Sequence, residues 1–126
     1  MNEAFDPAEV DICVVDDDPS LLDSIQKLLA SAGLAARVFD KPEAFLTYIA
    51  ANRVSLVVLD IWMEKVNGLE VLARMCALSP ATPVIIITAR NDVAARTTAM
   101  QIGPVAYFIK PFDGEEFLVA VRAAVS

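Results

Sequence analysis

The run Leu56-Val57-Val58-Leu59 leading into Asp60 constrains this chain more than any other stretch. Four apolar residues, two of them β-branched, read as a strand buried on both faces. A carboxylate at the exit of such a strand is costly to bury without a partner. The pattern recurs along the chain. Ile12-Cys13-Val14-Val15 runs into Asp16, Asp17 and Asp18; Val84-Ile85-Ile86-Ile87 runs into Thr88; Val105-Ala106-Tyr107-Phe108-Ile109 runs into Lys110. Four apolar strands thus end in an acidic cluster, an acid, a hydroxyl and an amine. In a parallel sheet all strand exits lie on one edge, so these groups would converge there.

The remaining sequence fits that frame. Asp18-Pro19-Ser20 opens a first helix, with a capping acid and an N1 proline, and Gly33 ends it as a C′ glycine would. Residues 35–39 form a short second strand whose Arg37 marks it as a sheet edge. Asp40-Lys41-Pro42 starts a second helix, and residues 61–67 read as a loop. Gly68 opens a third helix carrying Leu69, Val71, Leu72 and Met75. Asn91-Asp92 can cap a fourth, weakly amphipathic helix over 92–101, broken by Gly103-Pro104. Asp113 and Glu116 have capping-box spacing for a fifth. Strand and helix alternate, with short connections. This order predicts an α/β fold: a five-stranded parallel sheet, doubly wound in the order 2-1-3-4-5, with helices on both faces. Strands one and three then lie side by side, where the winding reverses.

Composition narrows the functions open to such a fold. At 126 residues and 56% apolar, the chain suits one domain, residues 11–126, behind a flexible N-terminal segment, residues 1–10. No apolar run approaches the ~18 residues of a membrane span, and Met1-Asn2-Glu3 lacks a basic signal pattern, so a cytoplasmic protein is expected. Cys13 and Cys76 read as reduced, buried thiols. A net charge of −7 speaks against direct binding of nucleic acid. The absence of histidine removes the commonest general base and transition-metal ligand.

Asp16, Asp17 and Asp60 would meet at adjacent strand ends. Two carboxylates ~4 Å apart repel by about 4 kcal/mol at an effective dielectric near 20. Such a cluster raises a pKa, spreads, or takes up a cation. Its donors are all oxygens, which suits a hard, partly hydrated ion such as Mg²⁺ better than zinc. A plainer reading stays open: Asp16 to Asp18 cap the first helix. Asp18 fits that role; for Asp16 and Asp17 alone the two readings weigh equally, and Asp60 with Lys110 favours the metal. Lys110 alone would be a solvated lysine, but opposite three acids it supplies a positive charge for Asp60 or for an anion on it. Thr88 is either an ordinary β-branched strand residue or a hydroxyl poised to bond an oxygen on a modified Asp60.

Together, Val-Val-Asp-Asp-Asp at 14–18, Val-Leu-Asp at 58–60, Asn67-Gly68-Leu69, Ile-Thr-Ala at 87–89 and Tyr-Phe-Ile-Lys-Pro-Phe at 107–112 resemble the receiver domain of bacterial two-component response regulators, over residues 10–125 or so. The resemblance implies a phosphorylation-dependent signalling switch rather than an enzyme, limited to self-catalysed phosphoryl acceptance and slow autodephosphorylation. Asp60 would be the phosphoryl acceptor, charged by a histidine kinase or a small phosphodonor. Asp16, Asp17, Asp60 and the backbone carbonyl of Trp62 would hold Mg²⁺, with Mn²⁺ able to substitute. Lys110 would pair with the phosphoryl oxygens and Thr88 would swing in to bond them. Tyr107 would then turn inward and repack the face of the fourth helix, fifth strand and fifth helix. The Lys110–Pro111 bond would be cis. The output would lie in a partner protein or in an effector domain outside this chain, and the repacked face could form a phosphorylation-induced homodimer.

The chain departs from the family pattern at some positions. Glu64 stands where proline is usual, which predicts a looser loop after Asp60. Pro104 follows Gly103 in place of alanine. Trp62, two residues past Asp60, is expected to shield a phosphoryl group from water and lengthen the modified state, with Arg90 opposing or assisting by its charge. Two other functions compete. A Mg²⁺-dependent phosphohydrolase would need a second acid two residues past the nucleophile, where this chain has Trp62. A nucleotide- or flavin-binding domain would need a glycine-rich loop after strand one, where this chain has Asp16-Asp17-Asp18-Pro19-Ser20.

Overall fold

The structure is a computed structural model that describes residues 10–126. The expected flexible segment, apart from Val10, lies outside the described residues. In chain order the elements are β1 (Ile12–Val15), α1 (Pro19–Ser31), β2 (Ala36–Phe39), α2 (Pro42–Ala51), β3 (Leu56–Asp60), β4 (Trp62–Met63), β5 (Val66–Asn67), α3 (Gly68–Leu78), β6 (Val84–Thr88), α4 (Val93–Ile102), β7 (Ala106–Ile109) and α5 (Gly114–Val125). The main sheet is parallel, in the order β2-β1-β3-β6-β7. That is the doubly wound order expected, with the short hairpin β4–β5 added between β3 and α3.

Two-residue periodicity explains why the inner strands are apolar throughout. Cys13, Val15, Val57, Leu59, Val84 and Ile86 face one layer, with Phe45, Ile49, Leu72 and Met75 of α2 and α3 and Ala99 of α4. Ile12, Val14, Leu56, Val58, Ile85 and Ile87 face the other, with Leu22, Ile25 and Leu29 of α1 and Phe117 and Val121 of α5. Strand β2 is an edge, as Arg37 implied. Arg37 there reaches Asp11 at 3.4 Å and stacks over the Tyr48 ring at 4.9 Å.

Helix ends follow the local signals. Asp18 caps α1 by accepting the Ser20 N–H at 3.0 Å, ahead of Pro19. Past the other end Gly33 is left-handed, at φ 79°. Its N–H donates to Ala30 O at 2.9 Å and that of Leu34 to Leu29 O at 3.0 Å, the paired bonds of a Schellman ending. Asp92 and Asp113 cap α4 and α5. Both cysteines are free, and burial pushes the Cys13 thiol up to about 12, so it stays protonated and unreactive.

Register carries the polar strand ends to one edge. Val15 pairs with Leu59 and Asp60 with Ile87, so Asp16 emerges beside Asp60 and Thr88 one step farther along. The Lys110 N–H donates to Thr88 O at 2.8 Å, which brings the end of β7 to the same rim.

Candidate functional site

The exits of β1 and β3 present Asp16 and Asp60, both buried, and Asp17, exposed at the rim. One oxygen from each of the three lies within 4.8 Å of the others. Each carboxylate is aimed by the backbone. Asp16 Oδ1 accepts the Asp18 N–H at 2.9 Å, Asp60 Oδ1 the Trp62 N–H at 2.8 Å, and Asp17 Oδ2 the Glu64 N–H at 2.8 Å. The Lys110 ammonium bridges the two buried acids, at 2.8 Å from Asp16 Oδ2 and 3.2 Å from Asp60 Oδ2. The Lys110–Pro111 bond that carries the chain away from this rim is cis.

Three carboxylates face one ammonium, so negative charge is in excess. Burial, and then the Asp16 charge, lift the Asp60 carboxyl from 3.8 to about 6, against the pull of the Trp62 N–H and Lys110. Burial alone would lower the Lys110 ammonium. Its hydrogen bond to Asp16 and the charges of Asp60 and Asp16 outweigh that and hold its pKa above the ordinary value. An all-oxygen donor set this close, with one member open to water, fits a hard divalent ion that keeps part of its hydration.

The other expected residues surround this cluster. Thr88 is buried, but its hydroxyl is engaged by Arg90. It accepts the Arg90 N–H at 3.1 Å and donates to the Arg90 carbonyl at 3.3 Å. Trp62 is 38% exposed beside the site, with the Arg90 guanidinium 4.6 Å from its ring centre. Tyr107 lies two residues before Ile109 on β7, its ring covered by Arg96 at 5.0 Å. Its hydroxyl is buried with no hydrogen-bond partner among the described residues.

A model of the response regulator receiver domain family matches residues 12–122. The chain belongs to this family. The transcriptional regulatory protein FixJ of Bradyrhizobium diazoefficiens is 35% identical over 114 residues, which cover 90% of this chain and 56% of the relative. The DNA-binding transcriptional regulator NtrC of Salmonella typhimurium is 36% identical over 115 residues, covering 91% of this chain and 24% of the relative. A crystal structure of a response regulator receiver protein from Burkholderia phymatum superimposes with a TM-score of 0.81 at 38% identity, covering 93% of this chain and 95% of that one. The chain therefore spans little more than half, or less, of the length of these two curated relatives. Receiver domains are signalling modules of two-component systems rather than classical enzymes. They take a phosphoryl group from histidine kinases and bind Mg²⁺ at an acidic pocket. The phosphohydrolase and nucleotide-binding readings fall away. No helix among the described residues is long and apolar enough to cross a membrane.

Three features of this receiver domain were not anticipated. The segment after Asp60 is not the looser loop that Glu64 suggested. Trp62 pairs with Asn67 and Met63 with Val66, and Lys65 turns the hairpin at φ 65°. The N–H of Glu64, a donor that proline would lack, ties the hairpin to Asp17. Gly68 is required by proximity, since a Cβ there would collide with the backbone of Ile61. The motif Asn67-Gly68 was visible, but not the backbone it packs against. Finally, Arg90 engages the Thr88 hydroxyl through its main chain, a contact its charge gave no hint of.

Proposed function

We propose that this receiver domain, residues 11–126, is a cytoplasmic switch that accepts a phosphoryl group on Asp60 from a histidine kinase or a small phosphodonor. The observation that carries the reading is the Asp60 carboxylate, buried at a strand exit with Lys110 at 3.2 Å and the oxygens of Asp16 and Asp17 within 4.8 Å. An Asp60 oxygen forms the new O–P bond as the donor's bond to phosphorus breaks, the leaving group keeping that electron pair. Lys110 is placed to shift from the two acids onto the phosphoryl oxygens, which holds the reacting groups in line and offsets their charge. Asp16, Asp17, Asp60 and the Trp62 carbonyl would hold Mg²⁺, or Mn²⁺ in its place, and the bound ion would neutralise the transferring oxygens.

The acyl phosphate adds about −1.5 to −2 of charge and new acceptors. Thr88 then donates its hydroxyl to a phosphoryl oxygen, and Tyr107 moves into the space it leaves. The consequence is a repacked face of α4, β7 and α5, elements on or next to which Val93, Met100, Val105 and Val119 are exposed. That face would control a partner protein or an effector domain outside this chain, and it would serve a phosphorylation-induced homodimer. Trp62 covers the phosphoryl group against water and Arg90 adjusts its lifetime. Direct contact with nucleic acid is not part of the proposal, given the net charge of −7.

The test is incubation with acetyl phosphate and Mg²⁺, read by intact mass. The wild type should gain one phosphoryl group, labile to hydroxylamine, and Asp60→Asn should gain none. Undiminished incorporation in Asp60→Asn would rule out the assignment.

A further inference from the structure

Trp62 and Thr88 lie on different strand-exit segments, and Arg90 touches both. Its backbone exchanges two hydrogen bonds with the Thr88 hydroxyl, at 3.1 and 3.3 Å. Its guanidinium stacks on the Trp62 indole, 4.6 Å from the ring centre. Trp62 in turn holds Asp60 through its N–H at 2.8 Å. A hydroxyl has one proton to donate. The Thr88 proton is given to the Arg90 carbonyl, so it cannot at the same time be given to an oxygen on Asp60. Any interaction that fixes Arg90 therefore favours the state in which Thr88 is not engaged with Asp60.

We infer that Arg90 is a positioning residue and that the Trp62–Arg90 stack is a latch on the unmodified state. The stack anchors the β6–α4 connection to the β4–β5 hairpin and keeps the Thr88 hydroxyl on the Arg90 backbone. A ligand that draws Thr88 toward Asp60 must release this arrangement, and its apparent affinity falls by the fraction of molecules that are latched. At an exposed site a stack of this kind changes such an equilibrium about two- to fivefold. The inference rests on Asp60 being the phosphoryl acceptor. It differs from shielding by Trp62, because it concerns the ease of reaching the switched state and not the survival of the phosphoryl group.

The experiment is a double-mutant cycle on the affinity for beryllofluoride, a phosphoryl mimic, with Mg²⁺, measured by calorimetry in wild type, Trp62→Leu, Arg90→Met and the double variant. Trp62→Leu keeps every charge. It should bind about two- to fivefold more tightly than wild type, a gain that a merely damaged fold would not produce. The same substitution in the Arg90→Met background should give no gain, because the stack is already absent. Trp62 is the only tryptophan, so its emission in ligand-free Arg90→Met should also differ from wild type. The latch is overturned if Trp62→Leu binds no more tightly, if it gains equally in both backgrounds, or if the emission is unchanged. Failure of the wild type itself to bind beryllofluoride would instead overturn the phosphoryl-acceptor reading, and the latch with it.

Discussion

Asp60 is held in a state that is unfavourable for the fold and that the proposed phosphoryl transfer would use. Its carboxyl, at about 6, keeps its proton at pH values where an unfolded chain, at 3.8, has already lost it. Folding stability therefore falls as pH rises from about 4 to 6, and the full penalty is present above 6. Asp60→Asn removes it. In chelator, the variant should be more stable than wild type at pH 8 by urea unfolding, with the gap closing toward pH 4. Magnesium at pH 8 should narrow the gap by stabilising the wild type. A variant less stable than wild type at pH 8 would contradict the burial argument. Lys110 works in the opposite sense. Lys110→Met leaves Asp16 and Asp60 buried without their cation, at a cost of about 3 kcal/mol in chelator, and Mg²⁺ should return part of the loss. For Trp62, the measurement is autodephosphorylation. Trp62→Asn should lose its phosphoryl group faster than wild type, and a rate equal or slower would end the shielding idea.

The element that shapes this receiver domain's site is the β4–β5 hairpin. Its strands are only two residues each and would not persist alone. They are pinned at one end by the Glu64 N–H on Asp17 and at the other by the contact of Gly68 with Ile61. Gly68→Ala would push a methyl group into backbone that cannot yield as a flexible side chain would. A loss of about 1–3 kcal/mol or more is expected in thermal unfolding, with a shift in Trp62 emission as the hairpin moves. Unchanged stability would mean that the hairpin is free to slide, and with it Asp17 and Trp62.

Across the molecule, both helical layers share one sheet, so neither can be lost alone. Phe117 is fully buried between α5 and the sheet, against Phe108 and Phe112 at 5.8 and 5.1 Å between ring centres. Phe117→Ala should cost about 3–5 kcal/mol. Unfolding should remain a single transition, coincident by far-UV circular dichroism and by Trp62 emission, although Trp62 lies at the strand-exit rim, outside this aromatic cluster. Two separated transitions would show that the layers are independent.

The sequence alone determined the alternation of strand and helix, the edge position of β2, the caps at Asp18, Asp92 and Asp113, and the meeting of Asp16, Asp17, Asp60, Thr88 and Lys110 at one rim. These follow from short-range periodicity, from the few residues able to satisfy helix ends, and from the rule that parallel strands share one exit edge. Tertiary structure decided the rest. The hairpin after Asp60, the need for glycine at position 68 and the grip of Arg90 on both Thr88 and Trp62 all depend on distances between segments far apart in the chain. No local pattern encodes how closely the backbones of Ile61 and Gly68 approach. None encodes which of several acceptors a single hydroxyl proton will choose.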